Sequence, residues 1–325
     1  MDTKKQFNKL LKKIKTNHKK QIGHRYPNAS GQCENSAYWD EDTQEILNNE
    51  TTPFYAASIL RTSASFYLDN CQYQILEHTN IEKAYSYYNL STAYSYLTVL
   101  FYVSKFSCKD AGDDSLLQDT FYGLISSSLI SGWEAEYKQM NEWAIESINY
   151  GRNYDNEGFL DVKFLIAGSD FCTPSWFLLD LYCNAYNRSY NKDNAEYPDI
   201  MAPYNRVLDE WDTTDIEKVN QLVHVLGDYH LSQSQHAKKD SDYFPFSSSN
   251  FWIYPHDILA WLKLREIKGL ENPKKYSHPL MNTPIAEFFL TLETSLEKPK
   301  DLPYAKVLLE KLKERCPNTD IPDWV

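Results

Sequence analysis

Glycine and proline are scarce in this chain, with 10 Gly and 14 Pro in 325 residues, which excludes collagen-like and low-complexity disordered classes. No stretch approaches the ~20 consecutive apolar residues that a membrane helix needs. The N-terminus MDTKKQFNKLLKKIKTNHKKQ has no apolar run of signal-peptide length. The six cysteines (33, 71, 108, 172, 183 and 316) contain no CxxC pair and no regular framework, so reduced, buried thiols in a cytosolic protein are expected. Together these absences predict a soluble, cytoplasmic chain. Alternation of β-branched residues at period two never persists, and no 34-residue repeat emerges, which sets aside sheet folds and a tetratricopeptide array.

Templates for chemistry are equally sparse. GxSxG, GxxxxGK[ST] and GxGxxG are all missing, so no nucleophile elbow or phosphate loop is available and no cofactor is expected. His224, His230 and His236 fall on one predicted helix, but steps of six residues turn by about 600°, setting successive rings roughly 120° apart. They cannot converge on one ion, and no zincin pair with an adjacent Glu occurs. No metal site is expected.

What the chain does hold is core material: 42% hydrophobic and 15% aromatic residues, including 25 Tyr, whose rings pack while their hydroxyls seek polar partners. Helical patterns follow one another with short polar breaks. Pro53 opens FYAASILRTSASFYLDNCQYQILEH and Asn80 precedes IEKAYSYYNLSTAYSYLTVLFYVSKF. Asp113 and Asp114 stand before SLLQDTFYGLISSSLI, Gly151 follows the helix from Trp133 to Tyr150, and Thr173-Pro174 starts SWFLLDLYCNAY. The fold class predicted is all-α: a multi-helix, mainly antiparallel bundle or hairpin array. The stretch from Tyr150 to Asp170 divides it into an N-terminal half (1–150) and a C-terminal half (151–325) expected to share one core.

Charge is distributed unevenly. Residues 1–25 carry nine Lys or Arg against Asp2, a surplus of 8, so with a total of -12 the other 300 residues carry -20. Such a body repels nucleic acid and membranes and attracts basic surfaces. Within the basic segment Phe7, Leu10, Leu11 and Ile14 recur at helical spacing, which predicts an amphipathic helix docked on the acidic body, with lipid or nucleic-acid contact as the alternatives.

The stretch from Tyr204 to Met281 is the densest in pattern. It combines YNRVLDEWDTTD, a helix containing GDYHLSQ, a Tyr/Phe/Pro loop, PHDILAWLKLREIKGL and HPLM, with charges placed as on a solvated or partner-facing surface. Pro255 and Gly269 bracket a helix in which Ile258, Leu259, Trp261, Leu262 and Arg265 form one side, and Trp252 and Trp261 are expected to pack inside. These motifs resemble the helical immunity proteins of bacterial polymorphic toxin systems, of the PoNi-like kind, over roughly the last 120 residues. The loop SDYFPFSSSNFWIYPHD departs from that family's pattern. The resemblance implies a cytosolic antitoxin without catalysis of its own, which binds the cognate effector of a type VI or related secretion system and blocks it.

Charge logic then selects the contact residues. Asp40, Glu41, Asp42, Asp228, Asp240 and Asp242 would steer toward and plug a basic active-site surface, while Trp39, Tyr243 and Phe244 stand beside them as apolar anchors. Asp40–Asp42 fit a helix N-cap and first turn equally well, and burial in the helical core is the simpler reading of each aromatic. Two other classes stay open: an α/α-barrel carbohydrate hydrolase using paired carboxylates, and an intracellular helical adaptor.

Overall fold

A computed structural model describes residues 3–20, 44–48, 55–106, 118–150, 173–194, 197–236, 244–292 and 295–325. Its helices are α1 (Thr3–Lys20), α2 (Ala56–Tyr73), α3 (Ile81–Phe106), α4 (Gln118–Ile130), α5 (Glu134–Tyr150), α6 (Thr173–Tyr186), α7 (Tyr204–Leu208), α8 (Ile216–Gln233), α9 (His256–Ile267), α10 (Pro284–Leu290) and α11 (Ala305–Arg315). Among the described residues there is no sheet, the one extended pairing being an isolated bridge between Ser234 and Phe246. The protein is all-α. No described helix is long and apolar enough to cross a membrane. Two compact units interleave along the chain, one made of Met1–Ile14 and Ser115–Ser295, the other of Lys15–Asp114 and Leu296–Val325.

The second unit is organised by the hairpin of α2 and α3. Thr79 adopts a left-handed conformation (φ 51°) after a π-helical turn over Gln74–His78. The Asn80 side chain then accepts from the Lys83 N–H at 3.0 Å, capping the start of α3. Tyr67 stacks on Tyr94 with centroids 5.5 Å apart, and the Ser91 hydroxyl donates across the hairpin to the Ala64 carbonyl at 2.7 Å. From Ser91 to Tyr102 every residue of α3 is buried. Thr92 and Thr98 satisfy their hydroxyls on the carbonyls four residues back. Cys71 lies free and buried here. Cys316 departs from the expected reduced state: it is disulfide-bonded. Spacing alone does not reveal connectivity, so the thiol pattern carries no argument for a reducing compartment.

In the first unit α9 is the central helix, packed against α4 and α6. Its residues from His256 to Arg265 are all buried, so the one-sided helix expected from sequence is in fact enclosed on every side. A left-handed Gly269 (φ 75°) ends it, with Leu270 N–H donating to the Arg265 carbonyl at 2.8 Å and Gly269 N–H to that of Glu266 at 2.9 Å, a Schellman arrangement. Asp215 caps α8 by accepting from Glu217 N–H and Lys218 N–H, and Thr283 with Pro284 caps α10. The N-terminal part of α1 docks on this unit through its apolar stripe. Leu10 and Ile14 are buried, Thr3 donates to Asp228 at 2.8 Å, and the Gln6 amide donates to the Leu231 carbonyl.

Candidate functional site

Of the residues selected by charge logic, Trp39, Asp40, Glu41, Asp42, Asp240, Asp242 and Tyr243 lie outside the described residues. Asp228 stands on α8, half exposed, where it accepts from Thr3 and faces the His224 Nε2 at 3.7 Å and the His278 Nε2 at 3.5 Å. Its carboxylate therefore anchors α1. Phe244 is half-buried, beside Pro245, whose carbonyl accepts from the Tyr122 hydroxyl at 2.8 Å, and Phe246, whose ring stacks 3.9 Å from that of His230.

The polar residues of the C-terminal motifs are placed differently from the sequence expectation. Tyr204, His230, His256, Asp257, Arg265 and His278 are all 0% exposed. The Tyr204 hydroxyl donates to Asp257 Oδ2 at 2.8 Å, while His230 sets Nδ1 3.2 Å from Asp257 Oδ1 and Nε2 2.7 Å from the Phe251 carbonyl. Both ring nitrogens of His230 thus face acceptor oxygens. Burial alone would raise Asp257, but the adjacent His230 and the hydrogen bonds from His230 and Tyr204 hold it below the usual carboxylate range. His256, stacked on Tyr122 at 4.7 Å, is pushed down to about 4 mainly by burial. Arg265 donates to Asn272 Oδ1 and to the carbonyls of Trp211, Thr213 and Glu271 at 2.8–3.0 Å. A buried cation is solvated here by backbone oxygen, and the loops before α8 and after α9 are tied to one side chain. These groups are closed to solvent and hold the fold.

Metal binding can be tested at His224 and Asp228 on α8 together with His278. The Leu280 N–H donates to His278 Nδ1 at 3.2 Å, which leaves the proton of the neutral ring on Nε2, the atom that faces Asp228. A ligating Nε2 requires the proton on Nδ1, so this grouping does not suit an ion. No group of metal-binding character occurs among the described residues.

One open feature among the described residues is a pocket of about 400 Å³ between the end of α6, the segment after it and α7. Its base is Asp180, nine-tenths buried, which accepts from the hydroxyls of Tyr190 at 2.8 Å and Tyr197 at 2.5 Å and from the Lys192 ammonium at 3.1 Å. Lys192 also lies 3.7 Å from the centre of the Tyr197 ring. Cys183 is free and buried on the pocket wall, its thiol pushed up to about 12 chiefly by burial and then by Asp180. Arg188 grips Glu142 through two hydrogen bonds of 2.8 and 2.5 Å. Next to the lining residue Met201, Ile200 is 74% exposed, more than any other large apolar residue described. Asp199, Asp209, Asp212 and Glu217 are exposed along the same segment and into α8.

Helical periodicity could not have revealed this surface, because the described residues of 187–203 contain only a three-residue 3-10 turn. The available signal was composition: Tyr190, Tyr197 and Tyr204 recur at seven-residue intervals in a stretch without an apolar face. No protein-family model, curated protein or solved structure matches this chain.

Proposed function

We propose that this chain is an immunity protein, which binds a cognate secreted antibacterial toxin in the cytoplasm and occludes its basic active-site surface. The observation that carries this reading is Ile200. A 74% exposed isoleucine beside a pocket is an apolar anchor without a core to enter, and exposed carboxylates at Asp199, Asp209 and Asp212 surround it in sequence. Interfaces concentrate their energy in such central apolar contacts and use surrounding charge for encounter. The resemblance of the Tyr204–Met281 motifs to helical immunity proteins supports the same reading, with their buried residues supplying the frame that carries α7. Asp40, Glu41, Asp42, Asp228, Asp240, Asp242, Trp39, Tyr243 and Phe244 remain proposed contacts on charge logic alone.

A hydrolase with paired carboxylates would need two acids open to one cavity. In the pocket, both oxygens of Asp180 are taken by three donors, which leaves Asp209 as the open carboxylate of the lining. The test is co-purification with the effector encoded beside this gene, coupled to a toxin activity assay. The proposal predicts a stable complex and inhibited toxin, with no turnover of glycan or nucleic acid by this chain. Turnover by the purified chain, lost on Asp209→Asn, would replace it with the hydrolase reading.

A further inference from the structure

Docking of α1 uses its apolar stripe and engages part of its charge, with Lys13 5.4 Å from the centre of the Trp252 ring and Lys15 4.0 Å from Glu77. The helix contains eight lysines and no acidic residue. Lys5, Lys9 and Lys13 are four residues apart, as are Lys15 and Lys19, a spacing at which like charges destabilise a helix. Lys4 and Lys5 sit in the first turn, where the helix dipole disfavours cations. The buried residues Leu10, Ile14 and His18 are four apart and define the docked face. At 100° per residue the lysines centre on the opposite one. Lys4, Lys9, Lys19 and Lys20 are exposed and make no ion pair among the described residues. From Lys4 to Lys20 the ridge runs about 24 Å at 1.5 Å per residue.

We infer that this ridge is a sequence-nonspecific binding face for the phosphate backbone of nucleic acid. A linear ridge one helix wide matches a linear polyanion. A lipid surface extends beyond the ridge on both sides, and the remainder of the chain carries -20, which a negative plane repels. The apolar stripe that could insert into lipid is already buried against the protein. All the cations are lysine, point charges suited to phosphate, and none offers the planar fork with which arginine reads base edges. The acidic body that repels nucleic acid at large thus leaves one face that attracts it.

The experiment is fluorescence anisotropy of a labelled duplex of about 20 base pairs with the full chain, between about 50 and 200 mM salt. With four lysines engaged, the log–log salt slope should be about -3.6, an affinity loss of roughly 100-fold across that range. Changing Lys4, Lys9, Lys19 and Lys20 to Gln should abolish binding at the lower salt, while Lys274→Gln with Lys275→Gln, exposed outside α1, should leave it unchanged. Matching circular dichroism melts for wild type and variant establish that the helix persists. Absence of duplex binding at the lower salt overturns the inference, as does full binding by the four-lysine variant. Adhesion to vesicles containing about a third phosphatidylserine, without duplex binding, would assign the ridge to lipid instead.

Discussion

Gly227 on α8 offers a test in which two effects have opposite signs. Replacing a mid-helix glycine by alanine ordinarily stabilises by about 1 kcal/mol. Here a Cβ would stand 2.4 Å from Nδ1, 2.6 Å from Cε1 and 2.7 Å from Cγ of His278, well inside van der Waals contact. The ring cannot yield cheaply, because His278 is 0% exposed and its Nδ1 accepts from Leu280 N–H, itself on a buried residue. Displacing it overpacks the core, at about 1–3 kcal/mol, and leaves a buried donor unpaired, at about 1–3 kcal/mol. Against the propensity gain, Gly227→Ala should destabilise by about 1–5 kcal/mol, read as a lower urea midpoint for the purified chain. In a His278→Ala background the same substitution should stabilise, since the steric partner is gone. Equal or greater stability for the single variant would refute the close approach on which the reasoning rests.

Acid should weaken the fold through histidines kept neutral by burial. His18, His256 and His278 are each lowered from 6.5 to about 4, with burial the largest cause. Their stabilisation is complete above pH 6.5 and is lost as pH falls toward 4. His256 alone accounts for about 3 kcal/mol of that loss, and urea midpoints at pH 7 and 4.5 should separate, less so for His256→Gln. Asp257, also depressed, adds a further loss as pH drops below the ordinary carboxylate range. Arg265→Met should cost about 3 kcal/mol or more by stranding buried carbonyls, and Arg265→Lys should recover little because an ammonium cannot span four acceptors. In α1, Leu10→Ala should cost about 2–3 kcal/mol and the half-buried Leu11→Ala about half as much, both by chemical unfolding. Equal costs would mean that the docked face is wrongly placed.

Local signals were legible where local physics decides. Asn80 before α3, Thr173-Pro174 at the start of α6 and Gly269 after α9 act at or beside helix ends, because a cap or a left-handed residue is chosen by its immediate neighbours. Internal packing of Trp252 and Trp261 was legible because large rings favour burial. The fate of His256, Asp257, Arg265 and His278 was not. Their charge reads as surface, but Arg265 is balanced by carbonyls at Trp211 and Thr213, more than 50 residues away, and Asp257 by Tyr204 and His230. Such compensation is non-local and leaves no period in the chain. Ile200 was not legible either, because a single exposed apolar residue in an irregular segment has no pattern to announce it.

The central claim is tested most directly by growth of cells producing the cognate effector together with this chain, compared for wild type and Ile200→Asp at matched abundance. Wild type should restore growth, and the variant, with a charge where the apolar anchor docks, should fail while retaining its melting midpoint. Equal protection by the two would remove the surface around Ile200 from the interface, and failure of wild type to protect would contradict the immunity reading itself.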